Sequence, residues 1–353
     1  MEMRGIRFFY VLVLFVLSVA CKQDEESAEI AFMSGRFVVN NGNWGDNDAD
    51  VGIYDLQRKT FFPDMFYTVN SRYLGDLAQD IISVGDDIYI AVSGSQTIFV
   101  TDRELRVKKQ INAENNGVRL SPRCFATDGV RVYVTYYEGY VGQISPEDYS
   151  IRFAQVGPNP DGLDAAGGKL YVADSGGMAY PDYNNTLSVI SIDGFERTDI
   201  VSVNVNPAKV VASSDGNMVY VFSYGDYAAV PSLVQALDTV SGKLSDLPYE
   251  SVCSIAGGKN GLLYILCGGY DADWNPLPGT VFIHDMATNT GMGNFVTDGT
   301  ILPNAYSVSV TSDGYVYVGC SDYLTTGDVF VFTPDGRLYD RFDSQGLNPI
   351  KVY

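Results

Sequence analysis

Histidine, tryptophan and positive charge are all scarce in this chain. Its 353 residues include one histidine, His284, two tryptophans, and 23 basic against 43 acidic residues, for a net charge of −20. A surface of that sign repels phosphate backbones, which argues against nucleic-acid binding. There is no G-x-S-x-G and no cysteine beside a histidine, so nucleophilic catalysis has no visible machinery. His284 falls on a predicted strand and reads as structural, and the carboxylates are too numerous for an acid pair to stand out. C-x-x-C is missing as well, so a zinc site is not indicated. Cys253 and Cys267 fall on successive predicted strands, where a disulfide or two buried thiols would each fit. Asp46, Asp48 and Asp50 alternate as in a calcium loop, but Val51 stands at the glycine position and Gln57 where glutamate is needed. A turn-rich hairpin is the reading adopted for that stretch.

No long apolar run marks the N-terminus. Phe8 to Ala20 is thirteen uncharged residues behind Arg4 and Arg7, too short to cross a bilayer but long enough for a signal-peptide core. Cys21 follows Ser18, Val19 and Ala20 and resembles a bacterial lipobox cysteine, which is diacylated and becomes the new N-terminus. The alternative is an ordinary secretory signal cut near Ala20. Lys22 to Glu26 resembles the acidic tag that sends Bacteroidetes lipoproteins to the outer cell face. The expected organisation is a signal peptide (1–20), a lipidated acidic tether (21–35) and one folded unit (36–353).

What the sequence has in abundance is tyrosine (25), phenylalanine (18) and glycine (36), the residues of strands and turns. A pattern recurs roughly every 45 residues, in the range of β-propeller blades. It consists of a strand, a Gly or Asp turn, a strand centred on Tyr-Val, a loop, an apolar strand and a looser strand. The second strands centre on Val38, Tyr89, Tyr133, Tyr171, Tyr220, Tyr264 and Tyr317. The third strands are expected at 50–55, 97–101, 140–144, 187–192, 233–238, 281–285 and 329–333. Four short antiparallel strands repeated seven times predict an all-β, seven-bladed β-propeller. The first repeat lacks its opening strand, and "LNPIKVY" at the C-terminus matches "VNPAKVV" at 205–211. The C-terminal segment should therefore supply the innermost strand of the first blade and leave no open edge.

Loops between second and third strands share one face of a propeller with the blade-to-blade connections. Here they are long, as in "NNGNWGDNDAD", "SGGMAYPDYNN", "SYGDYAAVPS", "GGYDADWNPLPG" and "SDYLTTG". Loops held on a rigid scaffold are where binding residues collect. The candidate ligand-binding set is Asn43, Trp44, Asp46, Arg72, Tyr73, Tyr137, Tyr180, Tyr183, Tyr224, Asp226, Tyr227, Tyr270, Asp271, Trp274, Tyr306 and Tyr323. It is an aromatic face with polar neighbours, suited to a ligand with flat or apolar surface. No catalytic or metal-ligating residue is assigned.

"RFVVNNGNWGDNDADVGIYD" followed by "YLGDLAQDII" resembles the BtuG family among the YncE-like propeller lipoproteins of Bacteroidetes. The matching features are N-x-G-N-W-G at Asn40 to Gly45 and L-G-D-x-A-Q at Leu74 to Gln79. The resemblance implies a non-enzymatic surface lipoprotein that captures cobalamin or related corrinoids. Such a protein passes them to a TonB-dependent outer-membrane transporter of the BtuB type, touching the membrane only through its lipid. The corrinoid would be cargo rather than cofactor. Two other functions suit the fold: a surface binder of glycans, since aromatic platforms also stack on sugars, and a metal-dependent lactonase.

Overall fold

The computed structural model describes residues 35–270 and 275–353, together with Phe32. The expected signal peptide, Cys21 and nearly all of the tether lie outside the described residues. So do Asp271, Trp274 and the side chain of Tyr270. Seven four-stranded antiparallel sheets follow one another along the chain. The second blade shows the plan: Ala78–Val84 innermost, then Asp87–Val92, Thr97–Thr101 and Val107–Ile111. Innermost strands of the next five blades are Pro122–Thr127, Pro160–Ala166, Pro207–Ala212, Val252–Gly257 and Ala305–Val310. Each of these strands packs against its neighbours in the ring. Among the described residues the one helix whose ends are defined is the short Met65–Asn70, and no helix is long and apolar enough to cross a membrane.

The first blade closes the ring. Its strands run Thr60–Phe62, Asp50–Asp55, Arg36–Asn40 and, innermost, Pro349–Val352. Val38 pairs with Val352 and Val39 with Lys351. Phe37 and Tyr353 exchange backbone hydrogen bonds of 2.9 and 2.8 Å. The first blade therefore takes its innermost strand from Pro349–Val352 and its next from Arg36–Asn40, which closes the ring.

Why tyrosine recurs in the second strands is visible in the core. Seven buried clusters lie one at each blade interface. Tyr89, Tyr133, Tyr171, Tyr220, Tyr264 and Tyr317 each point into the interface with the following blade and are at most 3% exposed. Each ring fills a gap that aliphatic side chains would leave open. The first blade departs from the expected alignment by one residue. Phe37, not Val38, packs against the second blade, while Val38 faces the seventh. Every blade therefore carries an aromatic ring at this position.

Third strands fall where expected in four blades. The others occupy Thr186–Ser191, Pro276–Asp285 and Asp328–Phe332. Many aspartates close turns away from the elaborated loops. Asp238 accepts from the amides of Val240 and Ser241, and Asp285 from those of Ala287 and Thr288, at 2.9–3.0 Å. Cys124, Cys253, Cys267 and Cys320 are all free thiols. Cys253 Sγ instead donates to the carbonyls of Leu266 and Ala305 at 3.5 and 3.6 Å. His284 is 2% exposed. Its ring nitrogens meet Tyr249 Oη at 3.2 Å and Asn289 Oδ1 at 2.9 Å, which is how a core histidine is satisfied.

Candidate functional site at the channel mouth

Innermost strands begin with a β-bulge. Register shifts separate Pro122 from Phe125, Pro160 from Leu163, Pro207 from Lys209 and Ala305 from Ser307. A bulge turns the extra residue out of the ladder, here toward the central channel. Arg123, Asp161 and Tyr306 occupy such positions. Arg123 donates to Asp161 from Nε and Nη2, both at 3.2 Å, in a bidentate pair. Its guanidinium lies 4.3 Å from the centre of the Tyr137 ring, a cation–π contact.

Above this pair the loops deliver tyrosines. Tyr183 meets Tyr180 and Tyr227 edge-on, each at 6.0 Å. Tyr227 stacks on Tyr224 at 5.9 Å and 27°. Tyr224 rests against the buried Phe222 at 4.8 Å. Across the mouth, Tyr306 and Tyr323 form a T-shaped pair at 5.6 Å. These groups sense one another electrostatically. Burial and Asp161 push the Tyr137 phenol up to about 12. Burial raises Tyr306, with Tyr323 adding to it, and raises Tyr224, with Tyr227 and Tyr306 adding. All three therefore remain neutral near pH 7 and keep a hydroxyl that can both donate and accept.

The loop chemistry shows how two of these rings are held out. Tyr227 and Tyr323 both have left-handed backbones, φ 58° and 63°, an uncommon conformation for a bulky residue. Each follows an aspartate that closes the turn. Asp226 Oδ1 accepts from Ala228 and Val230 amides at 2.9 and 2.8 Å, and Asp322 Oδ1 from Leu324 and Thr325 amides at 2.9 and 2.8 Å. The aspartate locks the turn, so the tyrosine is left projecting. Tyr227 is 65% exposed.

Of the sequence-derived candidates, the structure brings together Tyr137, Tyr180, Tyr183, Tyr224, Tyr227, Tyr306 and Tyr323. Asp226 belongs to the same loop but is occupied as a turn former. The first-blade group sits apart. Arg72 lies over the Phe99 ring at 4.8 Å and donates to Gln110 Oε1 at 3.2 Å, on the outer strands of the second blade. Tyr73 packs on Tyr67 at 4.8 Å. Asp46 lines a groove with Tyr73, Thr326 and Leu347. Trp44 is 79% exposed, and its loop is fixed by structural contacts. Asn41 Nδ2 donates to Ala78 O at 2.6 Å, Gly45 N to Asp76 at 3.1 Å, and Asn43 N to Asp48 Oδ1 at 2.8 Å. N-x-G-N-W-G and L-G-D-x-A-Q thus bind one another across the first two blades. Asp50 accepts from Asp64 N at 3.1 Å, in keeping with the hairpin reading. Among the described residues no three His, Cys, Asp or Glu side chains are grouped as metal ligands.

The sequence reading passed over Arg123, Asp161, Lys209 and Lys351. Their signal was a charged residue one or two places after the proline that opens a short apolar strand, as in "SPRCF", "NPDGL", "NPAKVV" and "NPIKVY".

Fold and site together define a seven-bladed β-propeller whose central channel opens through a collar of tyrosines. No family model and no curated protein matches the sequence. Among solved structures, hydrazine synthase of Kuenenia stuttgartiensis is similar, at 18% identity over 72% of this chain and 76% of that one, with a TM-score of 0.59. At that identity the likeness extends to the fold alone.

Proposed function

We propose that this protein is a non-enzymatic, lipid-anchored surface binding protein whose channel mouth captures a corrinoid, with cobalamin the favoured ligand, for delivery to a TonB-dependent outer-membrane transporter. The observation that carries the reading is the convergence of seven tyrosines from four blades on one mouth. A corrinoid is broad, with extensive apolar surface and an amide-bearing edge. Neutral phenols supply both ring faces and hydroxyls, and the Arg123–Asp161 pair beneath them adds a fixed donor–acceptor set for amides. The resemblance of the Asn40–Gly45 and Leu74–Gln79 segments to the BtuG family supports the same ligand, and Cys21 supplies the anchor.

Calorimetric titration of the chain lacking residues 1–20 with cyanocobalamin tests this, with a maltooligosaccharide as the competing ligand class. Saturable one-to-one heat with cyanocobalamin and none with the sugar is expected. Heat with the sugar and none with any corrinoid would replace the reading by glycan capture.

A further inference from the structure

Below the tyrosines the channel wall carries a second set of charges that the mouth does not use. Lys209 and Lys351 stand at equivalent places on the innermost strands of the fifth and first blades, and Asp80 on that of the second. Lys351 Nζ lies 3.0 Å from Asp80 Oδ1. The Asp80 carboxylate also accepts from the amides of Ile81 and Phe125 at 2.9 and 2.8 Å, so its acceptor sites are largely filled. Arg123 is likewise closed on Asp161. Lys209 differs. Its ammonium donates to Ser254 Oγ at 2.8 Å, and among the described residues no carboxylate lies within salt-bridge distance of it. An ammonium has three donors, which leaves two for the channel. The fourth blade has Gly162 at the matching place, so no side chain screens that flank of Lys209.

The two lysines are close enough to oppose one another. Burial and the Lys351 ammonium both pull Lys209 below the usual lysine range. Lys351 is held above it because Asp80 outweighs the cost of burial. A chain with a net charge of −20 therefore sets two ammonium groups side by side in its channel, with Asp80 paired to Lys351 and Asp80 and Asp161 acting on Lys209 from beyond salt-bridge distance. The Lys351 side chain is 37% exposed and Lys209 is half-buried, so the layer is open to a small anion that would take up the free ammonium donors.

We infer that this layer binds one oxyanion of the phosphate type, with Lys209 as the principal donor, Ser254 beside it and Lys351 as the second cation. The anion has two sources of the same chemistry, free inorganic phosphate or the phosphodiester of a ligand seated on the tyrosines above. The second source rests on the corrinoid reading, whereas the first does not.

Two arms separate them. In the first, the 31P line of inorganic phosphate is followed as the chain lacking residues 1–20 is added, for wild type, Lys209→Met and Lys209→Arg. The side-chain 15N resonances of the wild-type lysines are followed in parallel, a readout independent of any variant. Broadening that Lys209→Met reduces at least tenfold and Lys209→Arg largely restores, with a shift of one lysine resonance, is expected. Equal broadening by wild type and Lys209→Met would overturn the site, as would no broadening and no lysine shift at tens of millimolar phosphate. In the second arm, cyanocobalamin, which carries a phosphodiester, is compared with cobinamide, which does not. If the ligand supplies the anion, Lys209→Met weakens cyanocobalamin at least tenfold and leaves cobinamide unchanged. If phosphate binds and neither corrinoid does, the channel site stands and the corrinoid reading falls.

Discussion

Single side chains at the mouth divide into those that offer surface and those that hold it in place. Tyr227 is exposed, stacked and projecting, so Tyr227→Ala should weaken cyanocobalamin binding by about 2 kcal/mol, roughly thirtyfold in Kd, with little change in stability. Tyr183→Phe, which keeps the ring, should bind nearly as wild type in the same titration. Arg123 acts differently. Arg123→Met leaves Asp161 in the channel wall without its cation, and breaking such a pair costs about 3 kcal/mol. Denaturant unfolding should show that loss, with much of it recovered in Arg123→Met/Asp161→Asn. These tyrosines were legible in the sequence because an aromatic residue in a long polar loop has no core to enter. Arg123 and Asp161 were not, because the bulge that turns them into the channel is a backbone event within an otherwise apolar strand.

At the scale of elements, the strands were readable from Tyr-Val periodicity, and the departures have local causes. In the first blade the apolar trio Phe37-Val38-Val39 gave no aromatic centre, and its register is set by pairing with Asp50–Asp55 on one side and Pro349–Val352 on the other. Arg72 and Tyr73 follow the short helix Met65–Asn70, which sets Arg72 over Phe99 and Tyr73 against Tyr67; proximity to a blade junction in sequence does not specify radial position. The hairpin that bears Asp50 makes a pH prediction. Burial and the neighbouring Asp64 push the Asp50 carboxyl up to about 7. The folded state then holds a proton that the unfolded state has released. Stability from this group falls as pH rises from the ordinary carboxylate range through about 7. Asp50→Asn keeps an oxygen for the Asp64 amide and removes the charge. Its stability relative to wild type should therefore increase between pH 4 and pH 8, read from paired denaturant midpoints. A constant difference would show that Asp50 titrates normally.

For the whole molecule, closure is the property on which the rest depends. Seven interfaces are filled by the same kind of cluster, and the first blade that completes the last of them is itself completed by Pro349–Val352 pairing with Arg36–Asn40. Deleting residues 349–353 removes the first blade's innermost strand and exposes Val38 and Val39. Loss of a single cooperative unfolding transition, with aggregation through the opened edge, is expected by circular dichroism and light scattering. The closed ring gathers the seven tyrosines at one mouth, and binding is proposed there rather than at Trp44 and Tyr73. The most direct test of that claim is a side-by-side cyanocobalamin titration of Tyr183→Ala/Tyr227→Ala and Trp44→Ala/Tyr73→Ala. The account predicts that the first pair abolishes or severely weakens binding while the second leaves Kd within about threefold of wild type, under 1 kcal/mol. The reverse order, or tight binding retained by the mouth variant, would contradict it.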